Sequence, residues 1–243
     1  MLDIASYPSP NWNERPAGAV IDTVVLHYTG MRSGRDALTR LCDATAEVSA
    51  HYLLEEDGRV FRLVDERKRA WHAGVSHWRG RDNLNHTSIG IELVNPGHEF
   101  GYRPFPKAQI TSLLSLLEGI AQRHHIQQNG FVGHSDIAPS RKQDPGELFP
   151  WAQLAEKGFG IWSGRDGTST SVIVRRGQKN DNVVKFNEQL SMIGYHIDDI
   201  QHFDIATEYA VRAFQAHWRP TAVTGLIDIG TARILEDIAN QRG

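Results

Sequence analysis

Three residues able to bind a metal stand at the ends of structured runs. His27 follows the apolar stretch 19–26, His134 follows the short run 131–133, and Asp144 returns ten residues later on a segment stiffened by Pro139 and Pro145. Two imidazoles and a carboxylate on anchored backbones are a donor set for a catalytic zinc ion. Such an ion keeps its fourth position for water, whose pKa falls to about 7. Spacing alone does not select this triple, because the twelve histidines of the chain allow many others.

Glu92 adds a second kind of chemistry. It lies in the strand-like run 88–95, where Ile89, Ile91 and Leu93 share one face and Gly90, Glu92 and Val94 the other. Burying an unpaired carboxylate costs several kcal/mol, so Glu92 needs a partner: an ion pair within the core, or a metal site whose water it serves as general base. Lys142 precedes Asp144 by two residues, and in an extended segment the two side chains point the same way. A cation there can hold the charge of a tetrahedral oxyanion. Metal, base and cation together suffice to hydrolyse an amide.

These residues need a scaffold, and the sequence supplies one. The β-branched run 19–26, with the single charge of Asp22, reads as a strand buried on both faces that ends at His27. Residues 36–48 read as a short amphipathic helix, and 51–55 with 59–64 as a hairpin turning at Asp57-Gly58. The stretch 69–85 has no period and reads as a long loop. Helical spacing of Ile110, Leu113, Leu114, Leu117, Ile120 and Ala121 predicts a helix over 107–125. Strands alternating with helices imply an α/β fold, a mixed β-sheet flanked by helices. Residues 158–177 are rich in Gly, Ser and Thr, and three short helical patterns follow near 183–193, 205–214 and 230–238. The expected organisation is a catalytic domain over 1–160, a linker over 161–177 and a second, small three-helix domain over 178–243.

Composition narrows the function. Hydrophobic residues make up 40% and charged residues 23% of 243, which fits a packed globular chain. A net charge of −3 with scattered basic residues gives no footprint for nucleic acid. Cys42 is the single cysteine, so no intrachain disulfide forms, and it reads as a helix core residue. Residues 1–16 lack the basic start and apolar stretch of a signal peptide, and no run approaches the roughly 20 apolar residues of a membrane span.

The segments VVLHYTG, SAHYLL, WHAGVS, SIGIEL and GHSDIAPSRKQDPG, in that order, resemble the zinc-dependent N-acetylmuramoyl-L-alanine amidases of the AmpD and AmiD branch over about the first 160 residues. The resemblance implies the fold shared by bacteriophage T7 lysozyme and the peptidoglycan recognition proteins. It implies His27, His134 and Asp144 as zinc ligands, Glu92 as catalytic glutamate and Lys142 as catalytic lysine. It also implies cleavage between the lactyl group of N-acetylmuramic acid, or its 1,6-anhydro form, and L-alanine of the stem peptide. LSMIGY, AVRAFQ and TGLIDIGTARIL resemble a three-helix peptidoglycan-binding domain. Peptidoglycan or muropeptide fragments are the expected partners.

Tyr28, His51, Trp71, His72 and Asn85 lie in or beside the matched segments and are the expected substrate contacts. His51 and His72 read equally well as structural hydrogen-bonding residues, and Trp71 and Trp78 either line a sugar groove or pack beneath the loop. Asp136 either orients His134 or simply forms a turn. A non-catalytic peptidoglycan sensor is the rival reading, against which the complete ligand set argues. The start of the chain points to the cytoplasm, and to the periplasm or cell envelope if a leader has been removed.

Overall fold

A computed structural model of the protein describes residues 2–241. Its centre is a six-stranded mixed sheet built from β1 (Ile4–Ser6), β2 (Thr23–Tyr28), β3 (Tyr52–Leu54), β4 (Val60–Arg62), β5 (Ser88–Leu93) and β6 (Phe131–Gly133), in the order β1-β4-β3-β5-β2-β6. All neighbours are parallel except β3 and β4, which form the hairpin expected around Asp57-Gly58. Gly58 takes φ +91° there, a conformation open to glycine.

The two faces of the sheet bury different partners. Val24, Leu26, Ile89, Ile91 and Leu93 pack on Ile110, Leu113, Leu117 and Ile120 of helix α2 (Lys107–His124), which follows the short α1 (Gly34–Leu41) in the chain. Gln109 ties α2 to the sheet by donating to the carbonyls of Leu54 and Val94. On the opposite face Val25 and Val132 share a cluster with the C-terminal helices. After the one-turn α3 (His134–Ile137) come α4 (Asp181–Ile193), α5 (Ile205–Trp218) and α6 (Ile229–Asn240). Each of these three starts at a side-chain cap, Asn180, Asp204 and Asp228. The mixed α/β class with a small helical unit, read from the sequence, is the architecture found. No helix among the described residues is long and apolar enough to cross a membrane.

Some elements differ from expectation for local reasons. The strand read from Ala19 begins at Thr23, because its partner begins at Ser88 and Thr23↔Ser88 is the first pair. His27 therefore lies inside the strand, paired with Glu92, rather than beyond its end. The helix read to Val48 stops at Leu41, where Asp43 caps a separate turn through the amide of Thr45 and Glu47 turns left-handed. The start of loop 69–85 joins a small ladder, 12–14 with 68–70, and the loop contains a second, 77–78 with 81–82. Within 161–177, Ile161 and Val174 are buried, Ser163 donates to Asp237, and Val172–Val174 pairs with Ile227–Asp228, so this stretch lies packed along the helical unit.

Candidate metal centre

Parity along β2 sends His27 to the same side as Val25, away from α2. Its register partner Glu92 lies on the adjacent strand. β6 ends at Gly133, and His134 opens the one-turn α3 directly after it. Asp144 is brought back by a backbone bond from the Ser135 amide to its own carbonyl at 2.9 Å. His27 Nδ1 and His134 Nδ1 are 2.9 Å apart, and each is 3.0 Å from Asp144 Oδ2. All three side chains are buried. Donors held at about 2.0–2.1 Å by one tetrahedral ion sit roughly 3.3 Å from each other, so these three atoms lie close enough together for one ion to take all three.

The surrounding hydrogen bonds orient both imidazoles for that role. The Ser88 hydroxyl donates to the Leu84 carbonyl at 2.5 Å, so toward His72 Nε2, at 3.2 Å, it accepts. His72 therefore carries its proton on Nε2 and offers the Nδ1 lone pair to His27 Nε2–H, 3.1 Å away. His27 Nδ1 is left unprotonated and faces the cluster. His134 reaches the same state by donating Nε2–H to the Ala73 carbonyl at 3.2 Å. Outer partners of this kind fix the tautomer and orientation of metal-binding histidines. The donor set of two neutral imidazoles and a carboxylate suits a borderline ion.

Electrostatics agree. Burial, and then His134, lower the pKa of His27 to about 4, which keeps it neutral. Glu92 is raised well above the usual carboxylate range, by burial first and by Asp144 second, while Lys142 opposes the shift. Its Oε2 is shut off from solvent and finds no hydrogen-bond partner among the described residues. A pocket of about 370 Å³ opens over this group and is lined by His27, Glu92, His134, Lys142 and Asp144.

The other expected contacts separate. Tyr28 lines the pocket, with its hydroxyl 3.0 Å from His98 Nδ1. His72 reaches the pocket wall, but its polar atoms are spent on His27 and Ser88. His51 is fully buried behind it, accepting from the Gly90 amide and bonded to the Lys68 carbonyl. Asn85 Oδ1 accepts the amides of His72 and Ala73, and so shapes the backbone beneath the site. Trp71 donates to Asn13 and lines a separate, open depression with Asn85 and Arg69. Ser88 and Arg141 escaped the sequence reading. Arg141 donates to the carbonyls of Ala73 and Val75 and lines the pocket next to Lys142, a place its adjacency in SRKQD could have suggested.

Residues 17–147 match the N-acetylmuramoyl-L-alanine amidase family, and residues 179–235 match a family described as a peptidoglycan binding domain. The chain is 38% identical to the N-acetylmuramoyl-L-alanine amidase AmiD of Escherichia coli, over 92% of its own length and 84% of the relative's. The structure of that enzyme with its substrate anhydro-N-acetylmuramic acid-L-Ala-D-gamma-Glu-L-Lys superposes with a TM-score of 0.79, covering 93% of this chain and 92% of the other. AmpDh3 of Pseudomonas aeruginosa, in complex with anhydromuramic pentapeptide, gives a TM-score of 0.73 at 33% identity, covering 93% and 94%. The 1,6-anhydro-N-acetylmuramyl-L-alanine amidase AmpD of Haemophilus influenzae is 34% identical over 62% of this chain and 90% of its own.

Proposed function

Because the chain belongs to the N-acetylmuramoyl-L-alanine amidase family, we propose that it is a zinc enzyme hydrolysing the amide between the muramyl lactyl group and L-alanine of peptidoglycan fragments, the 1,6-anhydro form included. The observation that supports this most is the convergence of His27, His134 and Asp144 on one point at the floor of a pocket that also presents Glu92 and Lys142. Zinc held by those three residues supplies Lewis acidity toward the scissile carbonyl and the attacking water.

The remaining work belongs to the chain. Glu92, which lines the pocket beside the three ligands, takes the proton of the attacking water and delivers it to the departing L-alanine nitrogen. A carboxylate whose proton affinity is raised by burial suits both halves of that transfer. Lys142 lines the same pocket, and its ammonium stabilises the negative charge that develops on the former carbonyl oxygen.

The test is mass spectrometry of products from anhydro-muramyl peptide and from intact sacculi, each incubated with zinc and with a chelator. Free stem peptide released only with metal is the expected result, and the faster substrate identifies the physiological one. A zinc-bound protein that releases nothing from either overturns the reading in favour of a non-catalytic peptidoglycan-binding protein.

A further inference from the structure

We infer that Tyr195 and His217, both in the C-terminal helical unit, are positioning residues of the metal centre and act through Asp136. This rests on the metal reading above. Asp136 stands two residues after the ligand His134, and its side chain is completely buried. Its Oδ2 accepts the amide of Gly133 at 2.7 Å, which fixes the junction between β6 and α3 from which His134 projects. The same oxygen accepts His217 Nδ1–H at 2.7 Å, and Oδ1 accepts the Tyr195 hydroxyl at 2.7 Å.

The clamp is itself held rigid. The His217 ring lies between Trp151 and Trp218, 3.7 and 3.6 Å from their centroids and nearly parallel to both. Trp151 packs in the cluster between the sheet and α2 while Trp218 belongs to α5, so the sandwich ties the helical unit to the core of the sheet. Without Tyr195 and His217, Asp136 would keep, among the described residues, only the Gly133 amide as a donor, a costly state for a buried carboxylate that loosens its hold on that amide. The unit that matches a peptidoglycan binding domain thus supplies two of the three donors to Asp136 found among the described residues.

The test uses the full-length protein and reads zinc affinity by competition with a chromophoric chelator, together with kcat and KM on anhydro-muramyl peptide. His217→Phe keeps a ring in the sandwich but removes the donor. His217→Asn keeps a donor near the Nδ1 position and loses the stack. Tyr195→Phe removes only the hydroxyl, and Leu190→Ala removes buried apolar volume from the C-terminal core without removing a donor to Asp136. Removing an outer partner of a metal ligand costs about 10–100-fold in affinity, so His217→Phe and Tyr195→Phe should each weaken zinc binding by about tenfold and lower kcat with little change in KM. His217→Asn should stay within about threefold of the parent, and Leu190→Ala should lose thermal stability at unchanged zinc affinity. Parental zinc affinity in His217→Phe, or an equal loss in Leu190→Ala, overturns the inference. A parent that binds no zinc overturns the metal assignment and this inference with it.

Discussion

The ring of His72 occupies the space that a side chain on Gly90 would fill: a Cβ built on Gly90 falls 2.3 Å from the ring Cγ. The bare position in β5 is what admits the imidazole that orients His27. Gly90→Ala should push His72 off its bond to His27 Nε2, weaken zinc binding by about tenfold and destabilise the fold by about 1–3 kcal/mol. Chelator competition and thermal denaturation measure the two effects, and an unshifted zinc affinity would show that His72 does not support His27.

Ser88→Ala removes the acceptor that assigns the His72 proton to Nε2. The backbone and packing of β5 stay, so stability should change by no more than about 1–2 kcal/mol. Zinc affinity should still fall by about tenfold, because His72 is free to flip its tautomer. A variant that bound zinc like the parent would refute the tautomer chain.

Base and ligand roles separate by what each variant keeps. Glu92→Gln should retain stoichiometric zinc and lose on the order of 10²–10⁴ in kcat, since it keeps the shape and loses the proton acceptor. Asp144→Ala should lose metal and activity together, as measured by elemental analysis and turnover. Near-normal turnover in Glu92→Gln would remove Glu92 from the mechanism.

His51 provides a pH-dependent term. Its Nδ1 accepts the Gly90 amide and it is fully buried, so burial, and then Arg15, lower its pKa to about 3. Between about pH 6.5 and 3 the unfolded chain binds a proton there that the folded chain does not. The stabilisation is therefore complete above pH 6.5 and is lost as the pH falls through that window, by about 2 kcal/mol at pH 5. Comparing denaturation of the metal-free parent and of His51→Asn from pH 7 to pH 4.5 checks this. Parallel curves would show that His51 carries no such term.

Much of this was readable from residue types in order. Helical spacing from Ile110 to Ala121 located α2, and the alternation in SIGIEL set Glu92 on the opposite face from Ile91, where it meets His27. The roles of His51, His72 and Asn85 were not readable, since histidines in matched segments look alike until the fold shows which ring nitrogens are already bonded. Ser88 carried no signal, because a serine at the start of a strand is ordinary. The partnership of Asp136 with His217 spans 81 positions, a separation that no local pattern records.

The hydrophobic cluster that joins Val25 and Val132 to Phe214, Leu235 and Ile238 has a consequence for biosynthesis. A ribosome releases the sheet with α2 already able to cover one face, while the other stays bare until α5 and α6 have been translated. The turn bearing His134 therefore lacks two of its partners, Tyr195 and His217 acting through Asp136, until α5 has emerged.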